Sequence, residues 1–311
     1  MSGSVCARAV TRVALTGATG FIGTHLIDRL AADGVAVRAL TRSPRASAGD
    51  APTWIDGDLA SGAGIERLVD GADTVVHCAG AVRGARQQDF DRINVDGTRR
   101  LAEAAARAGV ERFLSLSSLA AREPQLSMYS SSKRRGEDAV KSDRYAWTII
   151  RPPAVYGPGD KELLPLFKLM LSGVAIVPGH SGRTSLIYVG DLVDAIVAWV
   201  HAPQIHGAIL ELDDGTPNGY DWTEMIRIAT EIRGARIVRI NVPRAVLAGV
   251  GAANLWFGRL FDGAPMLTSG KVRELFHRDW VCRVDAARAS LPWTPAIRFA
   301  EGLRLSFASL R

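Results

Sequence analysis

Apolar and polar residues alternate along the first half of the chain in a way that predicts strands and helices in turn. Short apolar runs have the length of buried strands, whereas the segments between them carry apolar residues at helical spacing. The strand-like runs lie at residues 12–16, 35–41, 52–58, 73–80, 112–118 and 147–153, and the helical stretches at 21–34, 64–71, 94–109 and 131–142. This alternation predicts an α/β fold with a doubly wound parallel sheet.

The alternation ends after residue 158, where Gly and Pro become frequent. We therefore expect a main domain over residues 1–158 and a smaller α/β substrate-binding lobe over residues 159–311. Residues 184–203 begin with the pattern of a further strand and helix, which we expect to return to the first domain.

A glycine-rich turn follows the first strand in the segment LTGATGFIGTHL. Gly17 permits a tight turn, Gly20 lets a pyrophosphate lie against the backbone, and Gly23 lets helix and strand pack closely. The helix N-terminus then offers free N–H groups to the phosphates. The pattern predicts a Rossmann-type dinucleotide-binding domain, although glycines at such a turn can also be purely structural. The further residues expected beside the cofactor in this turn are Thr19, Phe21 and Ile22.

Composition narrows the class of protein. At 311 residues and 47% hydrophobic content, the chain can bury a large core and form two lobes. Cys6, Cys78 and Cys282 are far apart and lack metal-ligand spacing, which favours a reducing compartment and predicts neither a disulfide framework nor a metal site. We see no signal-peptide core and no uncharged apolar run of transmembrane length. These features predict a cytoplasmic protein, with membrane association left open.

Charge is distributed unevenly along the chain. The net charge is +6, and residues 233–311 hold thirteen Lys or Arg against five Asp or Glu, so this segment carries +8 and the rest −2. The basic residues are spaced singly, so nucleic acid is not expected as a partner. Three interpretations stay open: scattered solvated arginines, an anionic substrate, or peripheral contact with an anionic membrane.

Tyr129 and Lys133 carry the chemical prediction. They are four residues apart in a helical stretch, so their side chains project from one face. A nearby cation favours the phenolate, lowers the tyrosine pKa and allows proton exchange with a substrate oxygen. Ser117 and Ser118, at the end of the fifth strand, offer a hydroxyl that could hold the same oxygen. Each pair also has an ordinary interpretation, as a solvated helix face or a strand end.

Several motifs occur in an order that resembles a known superfamily. They are TGATGFIG (16–23), GDL (57–59), HCAG (77–80), NVDGT (94–98), SLSS (115–118), YSSSK (129–133) and RPPAVYGPGD (151–160), followed by segments 185–195 and 291–303. Together they resemble the short-chain dehydrogenase/reductase superfamily, in its extended epimerase/dehydratase-like branch. The resemblance covers most of the chain and implies an NAD(P)-dependent oxidoreductase.

The same resemblance implies roles for individual residues. Ser118 would orient the substrate oxygen, and Tyr129 would be the general acid and base. Lys133 would bind the nicotinamide ribose and lower the tyrosine pKa, while Asn94 would support the proton relay or the backbone near the site. The further cofactor contacts that it implies are Asp58 and Leu59 beside the adenine, Ala79 and Gly80 along the cofactor, and Pro153 and Val155 over the nicotinamide.

The end of the second strand predicts the choice of cofactor. NAD-specific proteins of this fold place an acidic residue there, which holds the ribose hydroxyls. Here no Asp or Glu lies between Arg38 and Arg45. Arg42 is placed for a bidentate grip on a 2′-phosphate, and Arg45 could assist. We therefore expect NADP(H) rather than NAD(H).

Features around and beyond the predicted site favour an apolar substrate. Only eleven positions separate Ser118 from Tyr129, where sugar-nucleotide epimerases usually carry a longer insertion. Residues 245–258 are uncharged and too short to span a bilayer, so they form either a buried helix or a lipid-facing entrance. The tail that follows resembles 3β-hydroxysteroid dehydrogenase-like enzymes, and bacterial 3-oxo-sphingolipid reductases of the ceramide pathway are the most concrete relatives that it suggests.

These features lead to three hypotheses about function. The first is an NADPH-dependent reductase of a ketone on a hydrophobic, long-chain lipid, ceramide-like or steroid-like, working as a monomer or homodimer. The second is a sugar-nucleotide epimerase or dehydratase, because Arg183 lies in a region where such enzymes grip a diphosphate. The third is a non-catalytic dinucleotide-binding subunit or redox sensor.

Overall fold

The computed structural model of the protein describes residues 11–45, 52–179, 182–202, 205–260 and 267–308. At 255–260 it describes the helix but not the side chains. Cys6 therefore lies outside the described residues.

A seven-stranded sheet forms the centre of the fold, with the strand order β11-β6-β5-β4-β1-β2-β3 and every pair parallel. Its strands are β1 (Arg12–Thr16), β2 (Ala36–Thr41), β3 (Thr53–Asp56), β4 (Thr74–His77), β5 (Arg112–Leu116), β6 (Ala146–Arg151) and β11 (Ala208–Glu211). The strand order reverses between β1 and β4, and ligands bind at such a reversal outside the carboxyl ends of the strands. The predicted Rossmann-type doubly wound sheet is confirmed.

Short paired strands and the helices complete the described structure. The remaining strands are β7 (Ala154–Tyr156), β8 (Val174–Pro178), β9 (Arg183–Thr184), β10 (Leu186–Tyr188), β12 (Val238–Val242) and β13 (Asp279–Trp280). The helices of the first half are α1 (Phe21–Ala32), α2 (Ile65–Val69), α3 (Gln87–Asp91), a π-helix (Arg92–Gly97), α4 (Thr98–Arg107), a 3₁₀ turn (Leu119–Arg122) and α5 (Met128–Val140). Those of the second half are α6 (Leu164–Ser172), α7 (Val189–His201), α8 (Trp222–Arg233), α9 (Arg244–Leu260), α10 (Ser269–Leu275), α11 (Asp285–Ser290) and α12 (Phe299–Ala308).

Apolar side chains cover both faces of the main sheet, as a parallel sheet requires. On one face Leu26 of α1 and Trp199 of α7 belong to the same buried cluster as the strand residues, and on the other Leu101 of α4 packs with Phe113 of β5. A third cluster of buried apolar side chains includes Phe299 and consists mostly of residues from the second half of the chain. The sheet edge that carries the motifs is thus held from both sides.

The second half returns to the main sheet at two places. Helix α7 packs on α1, and β11 adds to the sheet beside β6. The strand before α7, β10, pairs instead with β7 in a separate two-stranded sheet. The boundary between residues 158 and 159 stays a prediction.

Within the described part of the chain, no helix is long and apolar enough to cross a membrane.

Candidate active site

The residues predicted for the site follow the carboxyl ends of neighbouring strands. The glycine turn follows β1, Arg42 and Arg45 follow β2, and Asp58 and Leu59 follow β3. The other predicted residues also lie along this edge or on the helices beside it, namely Ala79 and Gly80 after β4, Asn94 in the π-helix, Ser118 after β5, Pro153 after β6, Val155 in β7, and Tyr129 and Lys133 on α5. The fold therefore brings distant motifs to one edge of the sheet.

The glycine turn after β1 brings backbone segments into close contact. Gly17 has a φ of 76°, and a Cβ there would lie 2.6 Å from the backbone nitrogen of Ala79. A Cβ on Gly23 would overlap the carbonyl oxygen of Gly17. Gly17 and Gly23 are therefore required by the protein's own packing.

Gly20 differs from these two glycines. Its φ is −85°, and a Cβ there would meet only the Gly17 carbonyl oxygen, at 3.2 Å. Gly20 also precedes α1 without a side-chain cap on the helix N-terminus. The uncapped N–H groups and the open space over Gly20 fit a pyrophosphate.

The end of β2 offers two cations where the adenosine side of a dinucleotide would lie. Arg42 is exposed, and among the described residues it makes no hydrogen bond or ion pair. The Arg45 guanidinium lies 5.0 Å from the ring centroid of Trp54. Asp58 accepts a hydrogen bond from the Ala60 N–H at 3.1 Å, so its carboxylate organises its own loop. Arg42 is thus available to an anion.

Asn94 connects the cofactor side of the site to the helix that carries Tyr129. It is 3% exposed, its Oδ1 accepts from the Ala81 N–H at 2.7 Å, and its Nδ2 donates to the Ala81 carbonyl at 3.0 Å. The same Nδ2 contacts the Ser132 hydroxyl at 2.9 Å, and Ser132 donates to the Tyr129 carbonyl at 2.7 Å. The single π-helical turn around Asn94, of a kind that often occurs at functional sites, supports these contacts.

Tyr129 lies in the first turn of α5, half-buried against the ring of Phe90. The helix begins there because Ser127 caps it, accepting from the Ser130 N–H at 2.9 Å. Burial raises the pKa of Tyr129, and a hydrogen bond with the Ser118 hydroxyl and attraction to Lys271 act in the opposite direction. Ser118 also accepts from the Ala120 N–H at 3.2 Å, which fixes its position. Ser118 therefore lies near enough to Tyr129 to affect its protonation.

Lys133 lies one helical turn after Tyr129. Its Nζ donates to the Leu116 carbonyl at the end of β5, at 2.9 Å, and a Cβ on Gly80 would lie 3.6 Å from it. Burial lowers the pKa of Lys133 to about 8, although Glu137 and Cys78 counteract part of this effect. The ammonium therefore lies against the backbone that would border a nicotinamide ribose, so the residues present fit the cofactor.

A buried ion pair fixes the middle of α5. Glu137, 2% exposed, accepts from Arg151 of β6 at 2.6 and 2.8 Å and from the Ser117 hydroxyl at 2.5 Å. Ser117 is therefore a support for the helix, whereas Ser118 faces Tyr129. Removal of one partner of such a buried pair typically costs about 3–5 kcal/mol, so this contact holds α5 against the sheet.

Helix α10 supplies site residues that the sequence analysis does not identify. The carboxylate of Glu274 accepts hydrogen bonds from Ser127 and Ser130 in the first turn of α5, and from Lys271 at 3.0 Å. Lys271 interacts electrostatically with Tyr129. A Lys-x-x-Glu pair on a short helix is typical of a solvated surface, so no local signal identifies this contact.

Arg183 is committed to the structure around α8. Its guanidinium donates to the Asn218 and Gly219 carbonyls at 2.7 and 2.9 Å and to Glu224 at 2.9 Å. Glu224 and Asp221 form the capping box at the start of α8. These contacts give Arg183 a structural role.

Other reactive side chains at this edge are also structural. His77 joins Thr16 at 2.6 Å to Thr98 at 2.9 Å, and burial lowers its pKa to about 3, which keeps it neutral. Burial raises the pKa of Cys78 to about 12 and raises that of Cys282, so both remain thiols. Among the described residues no cluster of His, Cys, Asp or Glu has the arrangement of a metal site.

Known proteins with similar sequences show which family the chain belongs to. The model of the NAD dependent epimerase/dehydratase family matches residues 13–210. The chain is 42% identical over 278 residues to a ceramide reductase of Caulobacter vibrioides, covering 86% of this chain and 85% of that protein. It is 29% identical over 334 residues to a 3 beta-hydroxysteroid dehydrogenase/Delta 5→4-isomerase of Mycobacterium tuberculosis, covering 94% of this chain and 88% of that protein.

A solved structure shows the same fold. The structure of MoeE5 in complex with UDP-glucuronic acid and NAD superposes with a TM-score of 0.74 at 23% identity, covering 97% of this chain and 99% of that one. The chain belongs to the NAD dependent epimerase/dehydratase family and is an NAD(P)-dependent oxidoreductase.

Proposed function

We propose that this member of the epimerase/dehydratase family reduces a ketone on a hydrophobic, long-chain lipid, with NADPH as the reductant. The observation that carries the proposal is that Ser118, Tyr129 and Lys133 converge at one place. Ser118 lies close enough to Tyr129 to lower its pKa, and the Lys133 ammonium, one helical turn further along α5, is held by the Leu116 carbonyl at 2.9 Å. A carbonyl oxygen bound between the two hydroxyls would be polarised by both. That arrangement suits carbonyl reduction, in which oxygen gains a proton as carbon gains a hydride.

Each residue contributes a separate part of the reaction. A bound nicotinamide would supply the hydride to the carbonyl carbon and leave as the oxidised cofactor. Tyr129 would give its hydroxyl proton to the carbonyl oxygen, and Ser118 would hold that oxygen in place. Lys133 would stabilise the phenolate that remains until solvent returns a proton. Asn94 would keep the Tyr129 backbone in register through Ser132.

The proposed preference for NADPH rests on the charge after β2. Arg42 is exposed there, and no carboxylate lies between Arg38 and Arg45. A guanidinium attracts a 2′-phosphate, whereas a ribose with two free hydroxyls gains little from it. We accordingly propose Arg42 as the residue that distinguishes the two cofactors, with Arg45 as a second cation.

The proposal of a lipid substrate draws on the named relatives and on α9. Two relatives carry the names of a ceramide reductase and a hydroxysteroid dehydrogenase, and both names describe apolar substrates. Val246 and Val250 of α9 are 54% and 46% exposed. Gly251 of the same helix lies against α10, because a Cβ there would be 3.0 Å from the Thr268 backbone. Helix α9, which exposes apolar side chains, therefore contacts α10, the helix that packs against the site. The side chains of Leu255 and Trp256 lie outside the described residues.

The contacts of Arg183 favour this proposal over a sugar-nucleotide epimerase or dehydratase. A residue that grips a diphosphate needs free donors, but the Arg183 guanidinium is occupied by two carbonyls and by Glu224. Releasing it would leave the start of α8 without those contacts. The raised pKa values of Cys78 and Cys282 likewise argue against redox sensing by these two thiols, since the thiolate is the reactive form.

The test is a panel of ketones with purified protein. NADPH consumption is measured with 3-oxo lipids of increasing chain length, a 3-oxosteroid, a short ketone and a 4-keto sugar nucleotide, with NADH in parallel. We expect kcat/KM to rise with chain length and to be higher with NADPH. Turnover of the sugar nucleotide alone would favour the epimerase hypothesis. Binding of NADPH without turnover of any ketone would favour the non-catalytic one.

A further inference from the structure

We infer that Lys271 is a positioning residue for Tyr129: held by Glu274 of the same helix, its ammonium supports the phenolate from the second half of the chain. The inference rests on the proposed function, in which Tyr129 exchanges a proton with substrate. It adds a residue that belongs to none of the motifs of the first half. It also means that α10 affects the protonation of Tyr129 in addition to packing against the site.

Lys271 is held in position by a buried carboxylate. Glu274 is 5% exposed, and its Oε2 accepts from the Lys271 Nζ at 3.0 Å. Its Oε1 accepts from Ser127, and from Ser130 at 2.9 Å. Both serines belong to the start of α5, two residues before and one residue after Tyr129. The carboxylate therefore ties Lys271 to the turn that carries the tyrosine.

Further contacts of α10 hold the helix against the start of α5. The Arg273 side chain donates to the Leu126 carbonyl at 2.7 Å, and a Cβ on Gly270 would lie 2.8 Å from the Ser127 Cβ. The Trp280 indole donates to the Glu274 carbonyl at 2.9 Å. Helix α10 is thus docked closely, although the Lys271 side chain itself stays 48% exposed at the cleft.

The charges around Tyr129 come from two helices. Lys133, on its own helix, has its ammonium bonded to the Leu116 carbonyl. From α10, Lys271 attracts the phenolate and Glu274 repels it, while Ser118 contributes a hydrogen bond. Glu162, which also attracts Lys271, forms an ion pair with Arg83 at 2.5 Å. From α3 the nearest ring is that of Phe90, which carries no charge.

The Lys271 ammonium counteracts the effect of burial on the pKa of Tyr129. Burial raises the pKa of Tyr129, which would leave the phenolate scarce when the enzyme must take a proton. Burial also acts to lower the pKa of Lys271, but Glu274 outweighs it, so the pKa of Lys271 is raised and the cation persists. A persistent cation near the hydroxyl makes the phenolate easier to form.

The test is the titration of Tyr129 itself, followed by NMR on protein with ¹³C-labelled tyrosine. The chain has five tyrosines, and the Tyr129 signal is the one that Tyr129→Phe removes. We expect Lys271→Gln to move the titration midpoint of Tyr129 to higher pH by about half a unit, because a partly exposed cation is lost. Lys271→Arg should restore the midpoint. Lys168→Gln removes an exposed lysine of α6 and should leave it unchanged.

The readout does not require turnover, so it separates this inference from the proposed function. An unchanged midpoint in Lys271→Gln, or an equal shift in Lys168→Gln, would overturn the inference even if the enzyme reduces lipids. Lys271→Met repeats the measurement if the Gln variant melts early. Where the alcohol is oxidised, the rise of kcat with pH should shift in the same direction and by the same amount as the titration. A fall in kcat without a shift would indicate a merely structural role.

Discussion

At the scale of single residues, the chemistry of the site depends on burial and charge acting together on Tyr129 and Lys133. Burial raises the pKa of the phenol and lowers that of the ammonium to about 8, so each group is moved towards its neutral form. Ser118 and Lys271 act against this effect at Tyr129, and Glu137 acts against it at Lys133. The protonation of these two groups is therefore set by neighbours from three different segments of the chain.

Arg42→Asp tests the cofactor assignment at this scale. Because a phosphate contact would become a repulsion, we expect the affinity for NADPH to fall much more than that for NADH. A hydrogen bond to a charged group contributes about 1.5–3 kcal/mol, so the ratio of the two Kd values should change at least tenfold. Arg134→Asp, an exposed change of equal charge on α5, is the matched control. An equal loss for both cofactors would show that Arg42 does not contact the 2′-phosphate.

At the scale of elements, α5 is the part on which the site depends. Ser127 caps it, Glu137 ties its middle to Arg151 of β6, and α10 docks against its first turn. Gly136 allows the π-helix to approach, because a Cβ there would overlap the Asn94 carbonyl oxygen. Helix α10 and the π-helix are therefore both packed against the helix that carries Tyr129.

Gly136→Ala tests that packing. The added methyl must push Asn94 away, so we expect the free energy of unfolding to fall by about 1–3 kcal/mol, together with a loss of reductase activity. Gly249→Ala is the control, because that helical glycine of α9 has no neighbour within 4 Å of an added Cβ. The control should be neutral or stabilising by up to about 1 kcal/mol, since Ala favours helix. Equal stability of the two variants would contradict the close contact with Asn94.

The helices and strands differ in how well the sequence predicts them. All six strand-like runs of the first half form strands, as their short length and the turn residues around them predict. The stretch 94–109, predicted as one helix, begins instead within a π-helix, where Asn94 bonds to Ala81 and Ser132. Those partners are distant in sequence. The spacing of a local motif is enough to predict Tyr129 and Lys133. Lys271 could not be predicted, because it reaches the site only through tertiary packing.

At the scale of the whole molecule, charge and apolar surface occur in the same third of the chain. Residues 233–311 carry +8, and α9, in that segment, exposes Val246 and Val250. Each Lys or Arg near an anionic bilayer contributes about 1 kcal/mol of attraction within a Debye length. A lipid substrate would reach the cleft most directly from such a surface.

Val246→Asp and Val250→Asp test this surface. We expect wild-type protein to co-sediment with anionic vesicles at low salt and less with neutral vesicles, and both variants to bind less. Their KM should rise more for a long-chain ketone than for a short one. Leu305→Asp, on α12 and 40% exposed, is the control and should bind like wild type. If the variants melt early and lose activity on all ketones alike, α9 supports the fold and is not an entrance.

The most direct measurement of the central claim uses NADPH that carries deuterium in both positions at C4 of the nicotinamide. The protein is incubated with a long-chain 3-oxo lipid, and the product is analysed by mass spectrometry. We predict that deuterium appears at the former carbonyl carbon, and that Tyr129→Phe binds NADPH normally but transfers deuterium about 10²–10⁴-fold more slowly. A product without deuterium, or transfer by Tyr129→Phe at the wild-type rate, would contradict reduction by a Tyr129-assisted hydride transfer.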